Sequence, residues 1–175
     1  NGLLDIAIMI VEASYRGLMS RSFWSERIFV AMPAGHPLTQ CERIHWPDLT
    51  GEHFLLTERD PGPEPRNILM GKLGVPGCMP EIDRQDIGRE TMLSAIALGG
   101  RLSIVAESAL GIQVPGVTFS EIHDSHGHMR IGFSGYWRED NDNPVLLRFL
   151  DLVAGRYSLP PILMPQPSHH QPEKK

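Results

Sequence analysis

The chain has 175 residues, 41% hydrophobic and 21% charged, with a formal net charge of −5. That length and balance suit one domain or two small lobes around a buried core and exclude a disordered chain. The acidic balance, with arginines scattered singly, excludes a surface built to grip a phosphate backbone, and no apolar run is long enough to cross a bilayer.

In chain order, residues 4–11 form a near-continuous, Ile-rich apolar run, the pattern of a strand buried on both faces in a parallel sheet. Residues 12–22 mix small, polar and aromatic side chains and read as a loop. A strand at 27–32 ends at Pro33, Gly35 and Pro37, because proline cannot donate to a ladder. A third strand is predicted at 54–57. Pro61, Pro63 and Pro65 then force an extended segment before a helix from Arg66, with Ile68, Leu69 and Leu73 on one face and Gly74 as a left-handed cap. A weakly apolar strand follows at 80–86, then a helix at 88–98 with Met92, Leu93, Ile96 and Ala97 as its buried stripe, stopped by Gly99-Gly100. Strands are predicted at 102–106, 117–122 and 129–133. Asn143 and Pro144 open a last helix as N-cap and first helical residue. Leu146, Phe149, Leu150 and Val153 form its buried face, and it ends at Gly155. The remainder, rich in Pro, His, Gln and Lys, is expected to be a tail. Alternation of strand and helix through the middle predicts an α/β class with largely parallel sheets. Cys41 and Cys78 stand in unrelated contexts with no CxxC pairing and read as free thiols in a reducing compartment.

An ordered set of signatures runs through these elements. The chain opens on Gly2-Leu3-Leu4-Asp5-Ile6-Ala7-Ile8 and continues with Trp24-Ser25-Glu26-Arg27-Ile28-Phe29-Val30-Ala31-Met32-Pro33-Ala34-Gly35-His36-Pro37-Leu38 and Asp48-Leu49. Later, Glu90-Thr91-Met92-Leu93 leads through Gly99-Gly100 into Leu102-Ser103-Ile104-Val105. Across residues 2–154 this resembles the effector-binding domain of LysR-type transcriptional regulators, entered partway through its first lobe. The resemblance implies two Rossmann-like lobes joined by two crossover strands, the plan of type II periplasmic binding proteins. The first lobe would comprise 1–32 and 118–157, the hinge and connection 33–53, the second lobe 54–117, and the disordered tail 158–175. A first residue that is Asn fits a fragment of a longer polypeptide whose first lobe lacks its opening strands. In one place the chain departs from the family: Leu102-Ser103-Ile104-Val105-Ala106-Glu107 lacks a proline many members carry.

Ligands of open parallel sheets bind beyond the carboxyl ends of strands, where helix N-termini present unpaired N–H groups. The residues at such positions are Ile10 and Glu12, Thr57 and Arg59, Ile87 and Arg89, and Ala106 and Ser108. Thr57 and Ser108 offer hydroxyls, Arg59 and Arg89 offer planar donors for a carboxylate, and Ile87 offers an apolar wall. Glu12, Glu58 and Glu107 nearby argue against a polyanion. Asp86 is the alternative helix cap.

The run His123-Asp124-Ser125-His126-Gly127-His128 has imidazoles enough for zinc or nickel. Polar turns carry Asp, Ser and Gly in any case, and a closed site draws ligands from separated segments, so the run is read as a turn and no residue is assigned to a metal. The sequence carries no nucleophile elbow, P-loop, His-Glu-x-x-His or dinucleotide fingerprint, and no catalytic residue or cofactor is assigned. The expected protein is a cytoplasmic sensor of a small molecule, possessing a carboxylate for preference. It would be a homo-oligomer (dimer or tetramer) at full length, contacting DNA only through an upstream helix-turn-helix, with no membrane partner. The alternatives are a periplasmic-type solute-binding protein of a transport system and a small α/β metalloenzyme.

Overall fold

The structure is a computed structural model that describes residues 4–10, 14–59, 64–125 and 127–160. One long strand organises it. Strands β1 (Ala7–Met9), β2 (Leu18–Pro33) and β3 (Ile44–His45) come first, then β4 (His53–Thr57), α1 (Glu64–Leu73), β5 (Glu81–Gln85) and α2 (Arg89–Ala97). They are followed by β6 (Ser103–Ala106), β7 (Val117–Asp124), β8 (Gly127–His128), β9 (Arg130–Arg138) and α3 (Pro144–Arg156). Along residues 18–27, β2 pairs antiparallel with β9; from residue 28 onward it lies between β6 and β7, antiparallel to both.

The predicted loop at 12–22 is therefore corrected: the strand begins at Leu18. Its polar residues mislead because this half of β2 is only partly buried, and β9 supplies the hydrogen bonds that its side chains do not advertise. The register shifts between Ser22 and Trp24. That bulge turns Phe23 inward, 2% exposed, against Trp137 and the α3 residues Leu146 and Leu150.

The predicted buried parallel strand at 4–11 is also corrected. Within the described residues 4–10 only Ala7–Met9 is strand, it runs antiparallel to β9, and Ile8 is 43% exposed. Among the described residues β1 has β9 as its sole strand neighbour, so an apolar run that could have filled an interior position lies at an edge.

Around β4 the structure is layered. β4 pairs parallel with β5, and Leu55 N–H donates to Leu102 O while Leu102 N–H donates to His53 O, each at 2.8 Å, which carries the sheet across to β6. Side chains alternate along β4: Phe54 and Leu56 pack with Leu69 and Leu73 of α1, whereas Leu55 packs with Met92, Leu93 and Ile96 of α2. A strand covered on both faces needs a continuous apolar run, and each fully buried Leu here contributes about 1.5–3 kcal/mol. Ile44, Trp46 and Leu49 join the first of these clusters.

The sheet as a whole is mixed. Among the described residues only β3–β7 and β4–β5 are parallel pairs, alongside the bridge of Phe54 to Leu102, because β2, β7 and β9 run as antiparallel neighbours through the centre. Gly74 is not a left-handed cap either; glycine is required because a Cβ would stand 2.4 Å from Met70 O. Gly99 and Gly100 do end α2 with φ of 95° and 78°. Asn143 caps α3, its side-chain oxygen accepting Val145 N–H at 2.9 Å, and the helix runs through Gly155 to Arg156. No helix among the described residues is long and apolar enough to cross a membrane.

Candidate functional site

A cavity opens where the N-terminal end of α2, the carboxyl ends of β4 and β6, and β9 converge. It takes in about 680 Å³ of non-atom space, open solvent at its mouth included. Ile28, Ile68, Ile104, Ile131 and Phe133 give it apolar walls. Of the residues read from sequence, Ile10, Thr57, Arg89, Ala106 and Ser108 line it.

The others fare differently. Arg59 does not line the cavity: its Nε donates to Asp86 Oδ1 at 2.6 Å on the exposed surface. The Arg59 hydrogen bond, then its charge, holds the Asp86 carboxyl below its ordinary range. Asp86 is thus an ion-pair partner and not the cap of α2, a position Gly88 occupies. Ile87 packs with the α2 cluster and contributes its carbonyl, which accepts the Thr57 hydroxyl at 2.5 Å. Glu12 lies outside the described residues, as does His126.

Thr57 is 7% exposed, and its oxygen also accepts Arg59 N–H at 3.0 Å. Its proton is spent on the loop, leaving a lone pair for a ligand. Ser103, fully buried in the wall, makes among the described residues only a 3.4 Å contact from its hydroxyl to Met92 Sδ. Sequence reading missed Ser103 because a serine within an apolar strand carries no sign of which face it takes. It also missed Glu26, whose Oε2 accepts Ser108 N–H at 2.9 Å and whose Oε1 accepts Trp24 Nε1–H at 3.0 Å. The N–H group expected to await an anion already holds a carboxylate of the chain.

Beside the mouth, Arg27 bridges two acids. Nη2 donates to Glu107 Oε1 at 2.5 Å and Nη1 to Glu121 Oε2 at 3.0 Å. The Arg27 side-chain bond first, then the Arg27 backbone N–H, bring the Glu107 carboxyl down to about 2. Across β7 and β8, Glu121, His123 and His128 bring ligand atoms within 4.8 Å of one another.

Comparison with known proteins bears on the family and the fold. The family described as LysR substrate binding domain matches residues 1–158. The HTH-type transcriptional regulator TtuA of Agrobacterium vitis is 28% identical over 163 residues, 90% of this chain and 54% of TtuA. ClcR of Pseudomonas putida, also an HTH-type regulator, is 24% identical over 159 residues, 90% of this chain and 53% of ClcR. The chain thus spans about half the length of both regulators. Among solved structures, full-length BenM superposes with a TM-score of 0.74 at 21% identity, covering 95% of this chain and 55% of BenM. The BenM effector binding domain with its effector benzoate gives 0.71 at 20% identity, covering 92% of this chain and 74% of that one. The fold is therefore the two-lobed, type II periplasmic-binding-protein-like α/β fold of those domains. With the family match running over nearly the whole chain, the protein belongs to the LysR substrate-binding domain family.

Proposed function

We propose that the chain is the effector-sensing part of a LysR-type transcriptional regulator and takes a compact organic molecule in the cavity beside Thr57, Ser103 and Ser108. The cavity is the observation that carries this reading: apolar walls with a few convergent polar groups, at the carboxyl ends of β4 and β6. The effector is small and mainly apolar with one polar or carboxylate end, of the class that benzoate represents in BenM. Glu26 on Ser108 N–H disfavours a second negative charge. Ile10, Thr57, Arg89, Ala106 and Ser108 remain assigned to the ligand; Arg59 and Ile87 act behind Thr57.

In the whole protein, DNA contact falls to a helix-turn-helix outside this acidic chain, and the regulator is a cytoplasmic homo-oligomer without catalytic turnover. The first lobe takes 1–32 and 118–157 and the second 54–117, a division supported by the separate apolar cluster around Phe23, Trp137 and α3.

A thermal-shift screen of aromatic and aliphatic carboxylates tests the reading. A ligand at a hundredfold excess over its Kd stabilises by about 2.7 kcal/mol. A hit is expected to weaken with Thr57→Val, Ser103→Ala or Arg89→Ala and to survive Arg59→Ala. A hit indifferent to the first three substitutions would remove the effector from this cavity.

A further inference from the structure

We propose that the outer face of β7 and β8 holds a divalent transition-metal ion, zinc or nickel, between Glu121 Oε1, His123 and His128. This inference is independent of the effector cavity. The sequence argued against a metal here because all the imidazoles came from one turn; the sheet adds a strand carboxylate, Glu121, and sets its ligand atoms and those of His123 and His128 within 4.8 Å of one another.

Ile44 and Ile122 face each other across the parallel β3–β7 pair with no exposure, so the residues that follow them, His45 and His123, project from the opposite face. His123 is also directly opposite His128 across the β7–β8 hairpin, and Glu121, two residues before His123, shares its face. The rings of His123 and His128 are 5.0 Å apart, and those of His45 and His123 are 6.0 Å apart. The His45 ring lies beside this group, while the clustered ligand atoms are those of Glu121, His123 and His128.

The carboxylate is oriented for the task. Glu121 Oε2 accepts Arg27 Nη1 at 3.0 Å, which leaves Oε1 facing His128 Nδ1 at 2.6 Å. An outer partner that fixes a ligating carboxylate in this way is typical of metal sites. Neighbouring ligand atoms of tetrahedral zinc stand about 3.3 Å apart for bonds of about 2.0–2.1 Å. The present spacing, within 4.8 Å at its widest, reaches that geometry by side-chain rotation on an open face. Nitrogen and oxygen donors with no thiolate suit zinc or nickel and disfavour calcium or magnesium, which take oxygen. Binding replaces any proton held between His128 and Glu121, which is released to solvent.

The test uses the chain after chelator treatment, with His169→Ala and His170→Ala to remove the only other adjacent histidine pair. Calorimetric titration with zinc and with nickel is expected to show one equivalent bound. His123→Gln and His128→Gln each weaken it at least about tenfold, at or above the effect of losing an outer partner. Cobalt substitution is expected to give a spectrum without thiolate charge transfer. In the chain with native His123 and His128, nickel is expected to broaden their ring resonances and spare His53, a readout that does not depend on either variant folding. No binding of either metal, affinity unchanged in both variants, or broadening elsewhere alone would overturn the site.

Discussion

Arg27 and Glu107 hold each other twice: Arg27 Nη2 donates to Oε1 at 2.5 Å, and the backbone N–H of the same arginine donates to Oε2 at 3.3 Å. Arg27 stands where β2 leaves β9 and enters between β6 and β7. Glu107 follows β6 between Ala106 and Ser108 in the cavity lining. The pair fastens the crossover strand to the lip of the candidate site, and Glu121 extends it toward the β7–β8 hairpin.

The Glu107 carboxyl falls from 4.5 to about 2 through the Arg27 side-chain bond first, then the backbone bond. A depressed folded-state value contributes stability above pH 4.5, which is lost as pH falls through about 2. Thermal melts between those limits are expected to show a steeper acid loss for the parent chain than for Glu107→Gln. The difference shrinks with added salt, because both side chains are about one-third exposed. Equal slopes in the two proteins would contradict the pairing.

Gly135 is a steric requirement. A Cβ there would lie 2.3 Å from Phe23 Cε2 and Cζ, inside the cluster formed with Trp137 and α3. Gly135→Ala is expected to destabilise by about 1–3 kcal/mol in urea unfolding. Phe23→Leu in the same chain should recover part of the loss, a non-additivity expected of contacting residues.

Asn143 has two tasks at the start of α3: its oxygen caps Val145 N–H, and its Nδ2 donates to Asp5 Oδ1 at 3.0 Å. Asn143→Ala is expected to cost about 1 kcal/mol. Asn143→Asp keeps the cap but sets a carboxylate against Asp5, so its melting temperature at neutral pH should fall below the parent's and recover on acidification. If Asn143→Asp matches the parent at every pH, the Asp5 contact carries no weight.

Hydrogen exchange separates the two apolar strands that look alike in sequence. Among the described residues β1 pairs with β9 alone, over three residues, and exposes Ile8, whereas β6 pairs with β2 and is preceded by Leu102, which bonds to β4. Amides of residues 7–9 are expected to exchange faster than those of Ile104 and Val105. Comparable protection would mean that β1 has a second neighbour in solution.

The local chemistry of the chain was sufficient for some of this. Phe54, Leu55 and Leu56 in succession require a strand covered on both faces, and Met92, Leu93 and Ile96 fix the inner stripe of α2. Asn143-Pro144 and Gly99-Gly100 fix where α3 begins and α2 ends, because cap bonds and positive φ are properties of a few neighbouring residues. Thr57, Arg89, Ala106 and Ser108, singled out by the family resemblance together with the strand-end rule, line the cavity. What only tertiary structure decided depends on partners distant in the chain. Residues 18–22 become strand because β9 pairs with them, and residues 4–10 yield a short edge strand because, among the described residues, a single neighbour lies beside them. Arg59 is drawn away by Asp86, Glu26 takes Ser108 N–H from 82 residues upstream, and His45 comes beside His123 through β3–β7 pairing. Hydrogen-bond and charge partners so far apart in sequence leave no local pattern; only the packed sheet selects them.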